Sequence, residues 1–180
     1  SQLGGTLGLA YRMTGDEKYA KKLRDAMIHY GEFSRWAGDA RHDPPWHSEL
    51  NTARFCYGYA LGYDSIRDWL EAEDRKAIAA IAVRLGIRPT LDDWVLGDNR
   101  IHALDSMGHN WWSVCVAMAG VASLAITGDE PRAERWVESV RDGFPEWFVY
   151  QGNILQNKSP NFDRAGADRK STRLNSSHTV

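Results

Sequence analysis

A four-residue turn occurs twice in this chain and constrains its fold more than any other feature. Thr14-Gly15-Asp16-Glu17 follows Leu9-Ala10 and precedes Ala20, while Thr127-Gly128-Asp129-Glu130 follows Leu124-Ala125 and precedes Ala133. In each copy the glycine suits the end of one helix and the aspartate the cap of the next, and Pro131 suits a first helical turn. A third turn, around Glu71-Ala72-Glu73-Asp74, lies midway between them. The spacing predicts three helical hairpins of similar period. Such hairpins stack side by side, because one hairpin cannot bury its own apolar face.

Apolar residues recur at helical spacing over 2–13, 17–33, 49–64, 72–86, 110–127 and 130–148, and no stretch alternates as a half-buried strand does, so the fold class is all-α. Leu23, Met27 and Tyr30 share one face of the second segment, and Ile78, Ile81 and Leu85 one face of the fourth; charged residues oppose both. Trp111 to Ile126 carries no charge, which predicts an inner helix covered on nearly every side. Three polar connections, 34–48, 95–109 and 149–167, are expected to emerge at one end of the stack and form a shared rim.

The charge balance narrows the partners. With 22 basic and 24 acidic residues the net charge is -2, without the basic excess of a nucleic-acid binder or the basic amphipathic helix of a membrane-surface protein. No apolar run reaches the ~18 residues of a spanning helix. Cys56 and Cys115 sit in apolar segments without the close pairing of a zinc or redox motif, which leaves two buried thiols or a disulfide. The 8 Trp, 7 Tyr and 5 Phe suit either a thick core or a sugar-binding groove. The start, Ser1-Gln2-Leu3, is expected to fall inside a longer protein.

Residues able to do chemistry gather in the connections. His109-Asn110-Trp111-Trp112 opens the charge-free helix, where free N–H groups and the helix dipole favour an anion; Asn110 is either an anion-facing amide or simply the N-cap. In Trp46-His47-Ser48, Ser48 is the expected N-cap, and Trp46 is either core or a sugar platform. Arg54, one turn from Asn51, either pairs with an acid such as Asp64 or grips an acidic substrate. Asp92 with Asp93, or Asp105 with Asp163, offers a carboxylate pair for glycoside hydrolysis, or else caps and loop acids. His102 and His109 lack metal-ligand spacing, and no glycine-rich phosphate loop is present. No metal and no other cofactor is expected.

Three runs carry a family resemblance: LNTARFCYGYALGYDSIRDWLEAEDRKAIAAIAVRLGI at 50–87, HNWWSVCVAMAGVASLAITGDEPRAERWV at 109–137, and NKSPNFDRAGA at 157–167. In that order they resemble the helical domain of heparinase II/III-type polysaccharide lyases, over most of residues 1–167. The resemblance implies a partial α/α toroid, of which this chain supplies three hairpins, followed in the parent by a C-terminal β-sandwich domain absent from this sequence. It also implies a bacterial, periplasmic or secreted parent whose partner is an acidic polysaccharide or oligosaccharide, with no nucleic acid and no membrane. The implied reaction is β-elimination on a uronic-acid polymer. Asn110 and His109 match the positions that neutralise the uronate carboxylate, a role for which a donor that need not titrate is well suited. Trp46, His47, Arg54, Trp111, Trp112 and Asn161 are the candidate substrate-binding residues on the rim.

The family's acid–base Tyr would follow the segment matching NFDRAGA. Here the sequence turns instead into 168–180, a run without apolar periodicity that resembles a translated sequencing adaptor, the alternative being a natural disordered tail. Tyr150, the nearest tyrosine, precedes that segment. The chain alone is therefore expected to bind without turnover. A toroid glycoside hydrolase and a non-catalytic carbohydrate-binding helical module are the competing readings.

Overall fold

The computed structural model describes residues 2–38, 46–96 and 110–157, and among them every regular element is helical. They are α1 (Gln2–Thr14), α2 (Glu17–Tyr30), α3 (Leu50–Ile66), α4 (Ala72–Ala82), α5 (Arg88–Leu91), α6 (Asn110–Ala125) and α7 (Ala133–Asn157). Helix α3 lies between α1 and α6, α2 backs α1, and α7 backs α6. The core follows from this order: Leu23 and Met27 of α2, Tyr59, Tyr63 and Ile66 of α3, Ile78 of α4, and Cys115, Val116 and Ala119 of α6 are all buried. Tyr30 and Ile81, on the predicted apolar faces, pack half-buried against them. Cys56 and Cys115 are both buried free thiols, and burial pushes both upward in pKa, Cys115 to about 12.

Small residues set how closely α1 approaches α3. Gly4 and Gly8 are the buried residues of α1, and a Cβ built on Gly4 would stand 2.0 Å from the Gly58 carbonyl oxygen. One on Gly8 would stand 2.5 Å from the Ser65 hydroxyl. Neither backbone can retreat without opening the interface, so the glycines are there for space.

The two copies of the repeated turn share a backbone but not a chemistry. Gly15 (φ 67°) and Gly128 (φ 94°) both adopt the left-handed conformation that closes the preceding helix. Asp16 caps α2, accepting the Lys18 N–H at 3.0 Å. Asp129 instead turns inward. Its carboxylate accepts from the Tyr63 hydroxyl at 2.7 Å, Arg67 at 2.8 Å and Arg75 at 3.2 Å, while Arg67 also reaches the Thr127 carbonyl. The second turn is thus fastened to both ends of the α3–α4 connection.

Several boundaries differ from the sequence reading. The fourth helical segment does not stop near residue 86: a π-helical turn, Val83–Ile87, leads into α5, and a second, Asp92–Leu96, continues to the edge of the described stretch. Pro89 would clash with the carbonyl one turn earlier in a regular helix, and the widened turn just before it relieves that clash. The connection read as 95–109 therefore begins later. Helix α7 likewise runs through Pro145 and Gly152 to Asn157, where a connection from 149 was expected, and its start at Ala133 leaves Pro131 in the turn before it. Helix α6 is not covered on nearly every side: Val114, Val121 and Leu124 are 36%, 39% and 62% exposed. Absence of charge reported the buried face correctly and said nothing about the other. The 168–180 tail lies outside the described residues.

Two predictions test this packing. Gly4→Ala should lower stability by about 1–3 kcal/mol in urea unfolding, whereas Gly152→Ala, whose Cβ meets nothing within 4 Å, should be neutral or gain up to about 1 kcal/mol as a helix-interior Gly→Ala change. At Asp129, burial raises the pKa but the Tyr63 hydroxyl, Arg67 and Arg75 outweigh it, leaving the carboxyl below its usual value. A folded-state pKa below the unfolded one stabilises the fold above about pH 4 and loses that contribution as pH falls through the folded value. Asp129→Asn should therefore flatten the acid limb of stability against pH and cost about 1–3 kcal/mol near neutrality.

Candidate functional site

The C-terminal end of the 72–96 helical segment meets the residues just before α3 and the start of α6, and Asp93 stands at that junction. Its side chain is 4% exposed. Oδ2 accepts from the His47 N–H, the Ser48 N–H and the Ser48 hydroxyl, each at 2.8 Å. Oδ1 lies 2.9 Å from His47 Nδ1. Three donors, with the His47 ring beside them, offset the cost of taking a carboxylate out of water. The Ser48 hydroxyl in turn accepts from Trp94 Nε1 at 2.8 Å, and the Trp94 carbonyl accepts from Trp112 Nε1 at 3.3 Å. A chain of polar contacts thus joins the segment before α3, the end of the 72–96 segment and α6.

Aromatic rings surround this chain. Trp46, half-buried, meets Trp94 edge-on at 5.5 Å and Trp111 at 5.7 Å between centroids. Trp112, which is buried, lies parallel to Trp147 at 6.2 Å and edge-on to Phe144 at 5.4 Å. Cys115 senses the same junction. After burial, the charges of Glu49 and Asp93 are what push its thiol upward.

Of the residues singled out from sequence, Trp46, His47, Trp111 and Trp112 are brought together here. Trp112 is a core residue, so its ring is closed to a ligand, while Trp46 and Trp111 remain partly open. Arg54 lies in the second turn of α3, exposed like Asp64, and among the described residues no ion pair reaches it; the proposed Arg54–Asp64 pair does not form. Asn110 is the first residue of α6, and its side chain lies outside the described residues, as do His109, His102, Asp105, Asn161 and Asp163. Tyr150 is half-buried in α7.

One expectation is corrected and one open alternative is decided. Ser48 is not the cap of α3: Glu49 holds that position, its N–H donating to Thr52 Oγ1 at 3.1 Å, and Ser48 is spent on Asp93. Asp92 and Asp93 do not form a catalytic pair, since Arg88 holds Asp92 at 2.9 Å on the surface while Asp93 is fully engaged inside. Sequence reasoning missed the role of Asp93. Its partners are 45 and 46 positions away, and one sequence carries no signal of such a pairing.

Over 84 residues the chain is 34% identical to an alginate lyase of Stenotrophomonas maltophilia (strain K279a). The chain is similar to a polysaccharide lyase. The match spans 43% of this chain and 11% of that protein, so the chain corresponds to a small part of its relative. Nothing in the likeness singles out the heparinase II/III type. No protein-family model matches the chain.

Ser48→Ala should remove one of Asp93's donors and leave the buried Trp94 N–H without its acceptor. The expected cost is about 1–3 kcal/mol, read by denaturant unfolding. His47→Ala, at a side chain 69% exposed, should cost less than about 1 kcal/mol.

Proposed function

We propose that this chain is part of a polysaccharide lyase that cleaves a uronic-acid-containing polymer by β-elimination. The observation that carries the reading is the likeness to an alginate lyase. The gathering of Trp46, His47 and Trp111 where α6 begins at Asn110 agrees with it. A uronate carboxylate drawn to the start of α6 meets unsatisfied backbone N–H groups and the positive end of the helix dipole. In this reading Asn110 and His109 neutralise that carboxylate, which makes the ring proton beside it acidic. A base removes the proton, its electron pair forms the ring double bond, and the glycosidic oxygen leaves with a proton from an acid. Trp46 and Trp111 supply partly open aromatic faces for sugar C–H groups, and Arg54 a further cation for an acidic chain.

The proposal extends to architecture. The row α1–α3–α6, with α2 against α1 and α7 against α6, is read as part of an α/α toroid of the heparinase II/III type, with the catalytic Tyr and a β-sandwich domain supplied by the complete protein. The 180-residue chain alone then binds acidic oligosaccharides without turning them over. A glycoside hydrolase would have to take its carboxylate pair from Asp105 and Asp163, outside the described residues, because Asp92 and Asp93 are separately engaged.

The complete protein carrying this chain, incubated with polymannuronate, polyguluronate and glucuronate-containing glycosaminoglycans, should release an unsaturated product absorbing in the near ultraviolet. Asn110→Ala should lower that rate by about 100-fold or more, as loss of an oxyanion-stabilising donor does elsewhere. New reducing ends without the absorbing product would replace the lyase reading with hydrolysis.

A further inference from the structure

The two oxygens of Asp93 do different work. Oδ2 takes all three donors that hold the segment before α3 in place, from the His47 and Ser48 backbone and the Ser48 hydroxyl. Oδ1 is committed to the ring of His47, a side chain 69% open to solvent. A ring so exposed adds little to the burial that stabilises the fold, and the backbone at His47 is already fixed through Oδ2. What the Oδ1 contact adds is orientation. It holds the imidazole in one rotamer and, because a carboxylate oxygen accepts, it places the proton of the neutral ring on Nδ1. The opposite nitrogen, Nε2, then faces away from the buried carboxylate with its lone pair uncommitted to Asp93. Trp46, its neighbour in sequence, and Trp111 form a partly open aromatic corner.

We propose that Asp93 and His47 form a dyad in which Asp93 is the positioning residue and His47 the substrate-contacting one, its Nε2 accepting a hydrogen bond from a hydroxyl of a bound uronate sugar. The choice of a hydroxyl follows from the tautomer: an outward lone pair attracts an O–H and repels a carboxylate. The carboxylate of the same sugar is left to the start of α6, so His47 reads a hydroxyl rather than the charged group. The identity of the ligand rests on the lyase reading above, while the dyad itself rests on geometry alone.

The test uses the full 180-residue chain labelled with nitrogen-15 at histidine, observed by long-range proton–nitrogen spectra with the imidazole neutral. His47 should show the Nδ1–H form. In Asp93→Asn the amide oxygen should stay with the three donors and its NH₂ should face Nδ1, which must then accept, so the ring should switch to the Nε2–H form. A residue that merely capped the segment would not move the tautomer. Titration with a short mannuronate or guluronate oligosaccharide should shift Nε2, and His47→Ala should bind it about tenfold more weakly with its melting temperature little changed. An Nε2–H ring in the unsubstituted chain overturns the dyad. A His47→Ala chain that binds within twofold of the original overturns the substrate contact, as does an unsubstituted chain that binds no oligouronate. Should Asp93→Asn fail to fold, the tautomer of the unsubstituted chain and the His47→Ala affinity still decide. Binding at His47 without any unsaturated product from the complete protein would sink the lyase reading and leave this inference standing.

Discussion

Helix α3 has a neighbour along each flank, and that constraint governs the rest of the structure. Packed between α1 and α6, it can keep only small residues where a backbone comes close, and Gly58 and Gly62 are buried among nine inward-facing positions of the helix. Larger residues, Tyr59, Tyr63 and Ile66, fill the space toward the outer helices. Dispersion and apolar burial do most of the holding here, since the central helix brings no ion pair into the core. The polar groups act at its two ends.

At one end, Asp129 gathers Tyr63, Arg67 and Arg75 and so ties the α6–α7 turn to the α3–α4 connection. At the other, Asp93 gathers His47 and Ser48 and ties the start of α3 to the end of the 72–96 segment. The two carboxylates solve one problem in different currencies. Asp129 is balanced by guanidinium charge, partly open to water, whereas Asp93 is balanced by neutral donors and one imidazole. The first arrangement is a structural fastening. The second leaves an oriented ring at the surface.

The lyase reading and the dyad draw on separate observations. Likeness to an alginate lyase concerns a stretch of sequence and speaks to reaction class, and the Asp93–His47 contact concerns two atoms and speaks to orientation. Their meeting point is the aromatic corner of Trp46, Trp94 and Trp111, where one ring is buried by the fold and two stay partly open. Edge-on packing among indoles leaves a face exposed more readily than stacking does.

The amino-acid sequence by itself determined the helices and the turns between them, because helical periodicity, capping residues and left-handed glycines act over a few neighbouring positions. Thr14-Gly15-Asp16 and Thr127-Gly128-Asp129 are legible for that reason, as are the buried faces of α2 and α4. The helix through Pro89 was not, since a π-helical turn overrode the local signal to stop, and neither was the continuation of α7 past residue 148 to Asn157. Nor did the charge-free run at α6 reveal its exposed stripe of Val114, Val121 and Leu124, because a lack of charge permits burial without enforcing it. His47 and Trp46 could be picked out as residues with chemistry to offer. Only the tertiary structure decided that Asp93 would serve His47 and that Asp129 would leave its capping place for two arginines. Those pairings join positions 46, 54 and 62 apart, and chain folding alone brings such distant atoms within hydrogen-bond reach.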